Sequence, residues 1–513
     1  MTGNQSLDIG AAILAAVAVA GVCRNRGWST AIPLLVAGLV VGIAPFGPTG
    51  PADPEFVLVL VLAPLVFGEA LTSSIVDLRR VSRPIMALAV GLVVFGGVVV
   101  GVIAQWILPG IWASMAFALG AILGPTDAVA VSATARKAGL PRRLVHILEG
   151  ESLVNDGTAL TLLRVCSLAA AAGSVTAWQG IGILATSVLG GLMVGALGGL
   201  GLVAVVRRSR DTTVANALIV LAPLPLYLLA EVAHGSGILA VVVAALVVAH
   251  GTSTAITYRG RLQSASLWRT LTFILQSTAF FLVGLEMPLV VRDLPDGQLS
   301  SLALAIPVLF VALVATRFLF VFVMATLSGR RSPGWVVAAW AGTRGPVSAL
   351  AAFTLPVATD AGAAIPDRSL VISITFGVVV LSLLLAPTTA LLARRLALPA
   401  DDDAATKRRV RVALARAALE RLDDIEEAAD SSDESLPPGV IDSLRQHAEE
   451  RLERAAVAAK SPADQDRAVA RSIGLEMMRA EQEELLRLRD GGLPDQLVRQ
   501  MQVEIDRRMG ALG

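Results

Sequence analysis

Residues 124–160 read GPTDAVAVSATARKAGLPRRLVHILEGESLVNDGTAL, and this stretch decides the fold. Pro125 removes a backbone donor and disfavours helix at Gly124, so an apolar helix arriving there should break just before Asp127. After a basic turn a new apolar run begins, in which Glu149, Glu151, Ser152, Asn155 and Asp156 fall within eight residues. Ser152 and Asp156 are four apart, as are Glu151 and Asn155, which sets them on two adjacent edges of one helix. At 1.5 Å per residue, Asp156 lies roughly 21 Å from the start of that helix, near the middle of a bilayer.

Ionisable groups at that depth cost about 2.5–3.5 kcal/mol each on insertion scales, so each needs a reason. A hard monovalent cation needs several oxygen ligands and at least one negative charge. The Asp127/Asp156 pair, with Thr126, Ser152 and the carbonyls freed at the break, offers both. A carboxylate in that setting holds a proton or a metal ion, not both together, and this competition is the chemistry of exchange. The bland alternative is a proline kink around a buried structural aspartate.

The rest of the chain fits a membrane setting. Apolar residues make up 55% of the 513 and charged residues only 16%, with a mean hydropathy of +0.71, far from soluble averages. Residues 1–400 hold 24 Lys and Arg against 16 Asp and Glu, whereas residues 401–513 hold 18 against 25. The chain therefore divides into a transmembrane domain, 1–400, and a charged, helix-forming tail, 401–513, with breaks expected at Ser431–Gly439 and Gly491-Gly492. Net charge is +1 with no basic stretch interleaved with aromatics, so nucleic acid is excluded as a partner. Cys23 and Cys166 show neither metal-like spacing nor pairing and read as packing residues.

Apolar runs long enough to span a bilayer fall near 6–23, 29–46, 55–76, 84–108, 112–136, 142–170, 178–206, 213–233, 236–254, 266–291, 299–327, 334–357 and 368–396. The first lacks the basic region of a signal peptide and reads as a retained span. Loops after odd-numbered spans are basic, among them Arg24-Asn25-Arg26, Arg79-Arg80, Arg136-Lys137 and Arg330-Arg331, while those after even-numbered spans, such as 47–54, hold almost no Lys or Arg. The positive-inside rule then puts the N-terminus outside and the tail in the cytoplasm. Spans four to six and eleven to thirteen enter in opposite directions, as an inverted-topology repeat requires. The predicted fold is thus an all-α polytopic membrane protein of about 13 transmembrane helices. Two of them are interrupted, the second by Gly342 and Gly345-Pro346 around Arg344.

The 124–160 stretch, together with FGEALTSS (67–74), FFLVGLEM (280–287) and WAGTRGPVSALA (340–351), resembles the monovalent cation:proton antiporter family, bacterial NhaP-type branch, related to the eukaryotic Na⁺/H⁺ exchangers. The resemblance implies a transporter, not an enzyme, in the cell membrane, with no cofactor and with Na⁺ (also Li⁺) and H⁺ as cargo in pH and sodium homeostasis. It implies that Asp156 is the essential ion- and proton-binding carboxylate, that Thr126 gives a backbone oxygen, and that Asp127, Ser152 and Glu69 help hold the ion. Asn155 would stabilise the crossing of the two interrupted helices, and Glu151 would pair with Arg344 in a buried structural bridge. Asn before Asp156 goes with electroneutral exchange in this family. A homodimer working by alternating access, with spans four to six and eleven to thirteen moving against a scaffold, is implied in the same way. Ala128 departs from the pattern, which has proline there.

Several assignments stay open on residues alone. K⁺/H⁺ or mixed-cation exchange uses the same ligand types. Arg164, Glu286 and Arg317 either line the ion pathway or fix helix packing, the latter preferred. Glu231 and His234 fall at an external end, where a lone His reads as a solvated loop residue. An intramembrane aspartyl or serine protease lacks its GxGD or GxSG motif here. A sensor whose spans merely anchor the tail leaves the buried carboxylates without a purpose.

Overall fold

The computed structural model describes residues 3–44, 58–127, 140–173, 175–209, 211–252, 258–295, 298–327, 329, 333–396, 403–432, 439–456 and 476–485, with isolated positions at 487, 501, 502 and 505. Ala128, Arg136-Lys137, the 47–54 loop, Arg330-Arg331, Gly491-Gly492 and most of the 431–439 break lie outside them. The chain separates into two compact units, Met1–Asp401 and Asp402–Gly513.

The first unit is a succession of helices. It opens with α1 (Gly3–Asn25), α2 (Ala31–Ile43), α3 (a π turn Leu58–Leu62 continued by Ala63–Leu71), α4 (Ile75–Arg80) and α5 (Ser82–Ile107). Next come α6 (Ala113–Leu123), α7 (Arg142–Ala172), α8 (Ala177–Arg208), α9 (Thr212–Val232) and α10 (Gly237–Thr252). It closes with α11 (Tyr258–Arg292), α12 (Gln298–Leu327), α13 (Gly334–Trp340), α14 (Pro346–Phe353) and α15 (Arg368–Arg395). Every apolar segment read from the sequence carries a helix, and the one isolated extended pairing found among the described residues is a bridge between Ala358 and Ala364. Among the described residues, six helices are long and apolar enough to cross a membrane: α8, α9, α11, α12, α15 and the α5 stretch.

The α8 helix shows how sequence sorts its faces. A capping box, in which Thr176 Oγ1 accepts the Gln179 N–H and Gln179 Oε1 accepts the Thr176 N–H, starts it. Gly190, Gly191, Gly195 and Gly199 then meet Gly235, Ser236, Ala240 and Ala244, where a Cβ on any of them would press into the neighbouring backbone or side chains. Small residues let two helices approach this closely when no water is available to drive them together. The opposite face carries Leu189, Met193, Leu197 and Leu200, each more than half exposed. Such an apolar stripe is a liability in water and the expected surface against lipid.

Buried side chains form several clusters. One gathers Met115, Leu119 and Ile122 of α6 with Leu309 and Leu313 of α12 and Val371 and Ile374 of α15. Another joins α3 to α8, α9, α10 and Trp268, and a third joins α1 and α2 to Phe280 and Phe281 of α11. Between them two helices stop short. The α6 helix ends at Leu123, with residues 125–127 non-helical, and α13 ends at Trp340, with residues 341–345 non-helical before α14. Pro346 stands at the first position of α14, where its missing N–H costs nothing and its fixed φ favours a start.

In the second unit, α16 (Asp403–Ser432) and α17 (Val440–Ala456) pack on each other, preceded at the turn by Gly439 with φ +79°. Arg445 donates to Asp423 at 2.7 Å and to Glu426 at 2.6 Å across that pair. These groups are largely solvated, so they set register more than stability.

Candidate ion site at the crossing of two interrupted helices

The two unwound segments meet directly. The N–H of Asp127 donates to Thr343 O at 2.8 Å, so a backbone group freed by one break satisfies a carbonyl freed by the other. Arg344 Nε donates to Leu123 O at 3.1 Å, at the C-terminal end of α6, and its NH1 reaches Gly342 O. Ser382 of α15 accepts the Arg344 N–H at 3.0 Å. A guanidinium thus serves as the donor for carbonyls that a helix end leaves without partners.

The α7 helix fastens this crossing from the side. Asn155 Nδ2 donates to Thr126 Oγ1 at 3.0 Å, and Ser152 Oγ donates to Thr126 O. Thr126, Glu151, Ser152, Asn155 and Asp156 are all buried. Asp156 shares a cavity of about 10 Å³ with Pro125 at the first break and with Ser348 of α14, room for about one water-sized particle. Ser348 Oγ and Asn155 Oδ1 are buried and have no hydrogen-bond partner among the described residues. Glu69 on α3, Asp127 and Asp156 lie within electrostatic reach of one another. Among the described residues no group of three or more His, Cys, Asp or Glu is arranged to hold a metal ion. Hydroxyls, an amide and carbonyls around one buried carboxylate suit a cation that has to leave again.

One expected pairing is corrected. Glu151 does not pair with Arg344; it takes Arg317 of α12, whose NH1 and NH2 donate to its two oxygens at 2.5 and 2.8 Å, both side chains being 2% exposed. The planar guanidinium fork fits both carboxylate oxygens from across the helix packing, and its Nε and NH2 donate on to Ala338 O of α13 at 3.2 and 3.1 Å. Arg344 is instead spent on the carbonyls of the break it sits in.

The family model described as "Sodium/hydrogen exchanger, transmembrane" matches residues 11–392. This chain belongs to the sodium/hydrogen exchanger family. The exchanger is 32% identical, over 96% of its length and 94% of the other chain, to an uncharacterized Na⁺/H⁺ exchanger of Mycobacterium tuberculosis. It is 30% identical, over 73% of its length and 59% of the other chain, to a protein of Bacillus pumilus named a sodium, potassium, lithium and rubidium/H⁺ antiporter. Its fold is that of the sodium proton antiporter MjNhaP1 from Methanocaldococcus jannaschii, with a TM-score of 0.62 and 20% identity over 76% of this chain and 97% of that one. It is therefore a helical membrane protein of a family of cation/proton antiporters.

Sequence reasoning missed two features of the exchanger's site. Ser348 carried a signal, a lone hydroxyl in the apolar run opened by Gly345-Pro346, next to a predicted break. Arg317 as the partner of Glu151 carried none beyond being a charge in an apolar span. Gly345 gives a further test of the crossing, because a Cβ there would overlap the Asp127 carboxylate. Gly345→Ala should insert normally yet exchange cations at least about tenfold more slowly, since an ångström of misplacement is that costly. Initial rates in proteoliposomes, normalised to inserted protein, check this, and a native rate would show that Asp127 has room to move.

Proposed function

We propose that the exchanger moves Na⁺ in one direction and H⁺ in the other across the cell membrane, one for one, with Asp156 as the carboxylate that both ions occupy. The observation that carries this is the position of Asp156: buried, in a cavity of one-particle size, beside a helix break whose Thr126 is fastened by Ser152 and Asn155. Thr126 through its backbone oxygen, Ser152, Asp127 and Glu69 complete the ion's surroundings, while Asn155, Arg344 and the Glu151–Arg317 bridge hold the crossing. One-for-one exchange follows from Asn155 in the family resemblance.

The same reading has thirteen spans with the N-terminus outside and the tail inside, spans four to six and eleven to thirteen as inverted repeats, and a homodimer whose transport cores alternate in access. The 401–513 tail is regulatory. The loop charges support the orientation, and the paired breaks at 124–127 and 341–345 support the repeat.

Proteoliposomes with a pH-sensitive dye test the activity. An outward Na⁺ gradient should drive proton uptake into the lumen at a rate unaffected by a potential set with valinomycin and K⁺. A rate that follows the imposed potential would overturn one-for-one exchange, and no response to any monovalent cation would overturn the function. A second reading, mixed-cation exchange, is favoured by the name of the Bacillus pumilus relative. Comparable rates with K⁺ and Na⁺ would select it.

A further inference from the structure

Past Asp156, toward the C-terminal end of α7, the first unit holds a second and larger cavity, about 450 Å³ in volume. Its walls include Arg164, Glu231 and Arg368, charges that a dry apolar interior would not accept. Leu160 and Leu163 line both this cavity and the small one at Asp156. They are the partition between the two. Arg164 lies eight residues beyond Asp156, roughly 12 Å along the helix.

Two of those three charges have the wrong sign for a cation's route, and each is dealt with differently. Arg368 turns onto backbone carbonyls, donating to Leu355 O at 2.9 Å and Phe353 O at 2.8 Å. Arg164 donates to Gly235 O at 3.2 Å and meets Glu231 Oε2 at 3.2 Å, the two side chains being 32% and 37% exposed. The pair therefore faces the cavity. Glu231 Oε1 accepts the N–H of Gly237 at 3.1 Å, in the first turn of α10, which fixes the carboxylate where a favourable helix dipole also points. A half-exposed ion pair adds little to stability. Its larger effect is on the field in the cavity.

We propose that this cavity is the vestibule by which the cation approaches Asp156 from the side where α7 ends, that Leu160 and Leu163 form its inner barrier, and that Glu231 is a positioning residue cancelling the charge of Arg164 on that route. The proposal rests on the reading of Asp156 as the ion carboxylate. With Glu231 neutral, a guanidinium stands over the path and lowers the local cation concentration.

The test uses the full chain in proteoliposomes. Glu231→Gln keeps an oxygen for the Gly237 N–H but loses the charge. It should raise the half-saturating Na⁺ concentration about fivefold and leave the maximal rate within about twofold. Adding Arg164→Gln should bring half-saturation back to within about twofold of native, a rescue that a purely structural defect would not give. An unchanged half-saturation in Glu231→Gln, or no recovery in the double variant, overturns the proposal.

A second readout does not depend on transport. In a Cys23→Ser, Cys166→Ser background, Ser167→Cys in the cavity wall is labelled with cationic and anionic methanethiosulfonates. Glu231→Gln should shift the ratio of labelling rates several-fold toward the anionic reagent, and no shift overturns the proposal even if a variant transports poorly. Exchange persisting in Asp156→Asn would instead sink the reading of Asp156, whatever the reagents show.

Discussion

Arg317→Leu is expected to be among the most destabilising single substitutions in the membrane unit, costing about 3–5 kcal/mol, because it strands the Glu151 carboxylate in the interior. Glu151 also lies 3.5 Å from the Thr126 hydroxyl, so the damage reaches the ion site and exchange should fall with stability. Replacing both partners by leucine should recover much of the lost stability, since a buried pair is often no better than apolar packing of similar volume. The same comparison with Arg344 separates the two arginines. A double-mutant cycle on thermal unfolding in detergent should give strong coupling between Glu151 and Arg317 and weak coupling between Glu151 and Arg344. The reverse order would restore the pairing that the family resemblance implies.

Asp156→Asn is expected to lower exchange by at least about a hundredfold, the loss of a group present in every step of the cycle. Asparagine keeps the size and one oxygen but neither ionises nor balances a cation's charge. Stability should be little affected or improved, since a buried carboxylate costs more to hold than a buried amide. Loss of exchange with retained folding is the signature of a functional group. Asn155→Ala should differ, loosening Thr126 and harming stability and exchange together.

The helix breaks were legible because proline and glycine act locally. Gly124-Pro125 and Gly345-Pro346 each pair a flexible residue with one that lacks an N–H and disfavours helix before it, and the breaks stand where those residues stand. The buried polar cluster on α7 was legible for a similar reason, since helical spacing puts Glu151, Ser152, Asn155 and Asp156 together whatever surrounds them. The partner of Glu151 was not legible. Arg317 and Arg344 are both lone cations in apolar spans, and only the reach of one side chain across the helix packing decides between them. The Arg164–Glu231 pair escaped for the same reason, as it joins α7 to α9 across 67 residues of sequence. Glu231 near a helix end looks solvated until the cavity beside it is seen.

The central claim is that one buried carboxylate takes either a proton or a cation. Proton release on cation binding tests it without a membrane. Detergent-solubilised exchanger in weakly buffered solution is titrated with NaCl near neutral pH while free protons are followed with a dye. The expected result is a saturable release of about half a proton per chain at the pH of half-protonation, rising toward one at lower pH and absent in Asp156→Asn. Saturable Na⁺ binding with no proton release, or release undiminished in Asp156→Asn, would contradict a single shared carboxylate at Asp156.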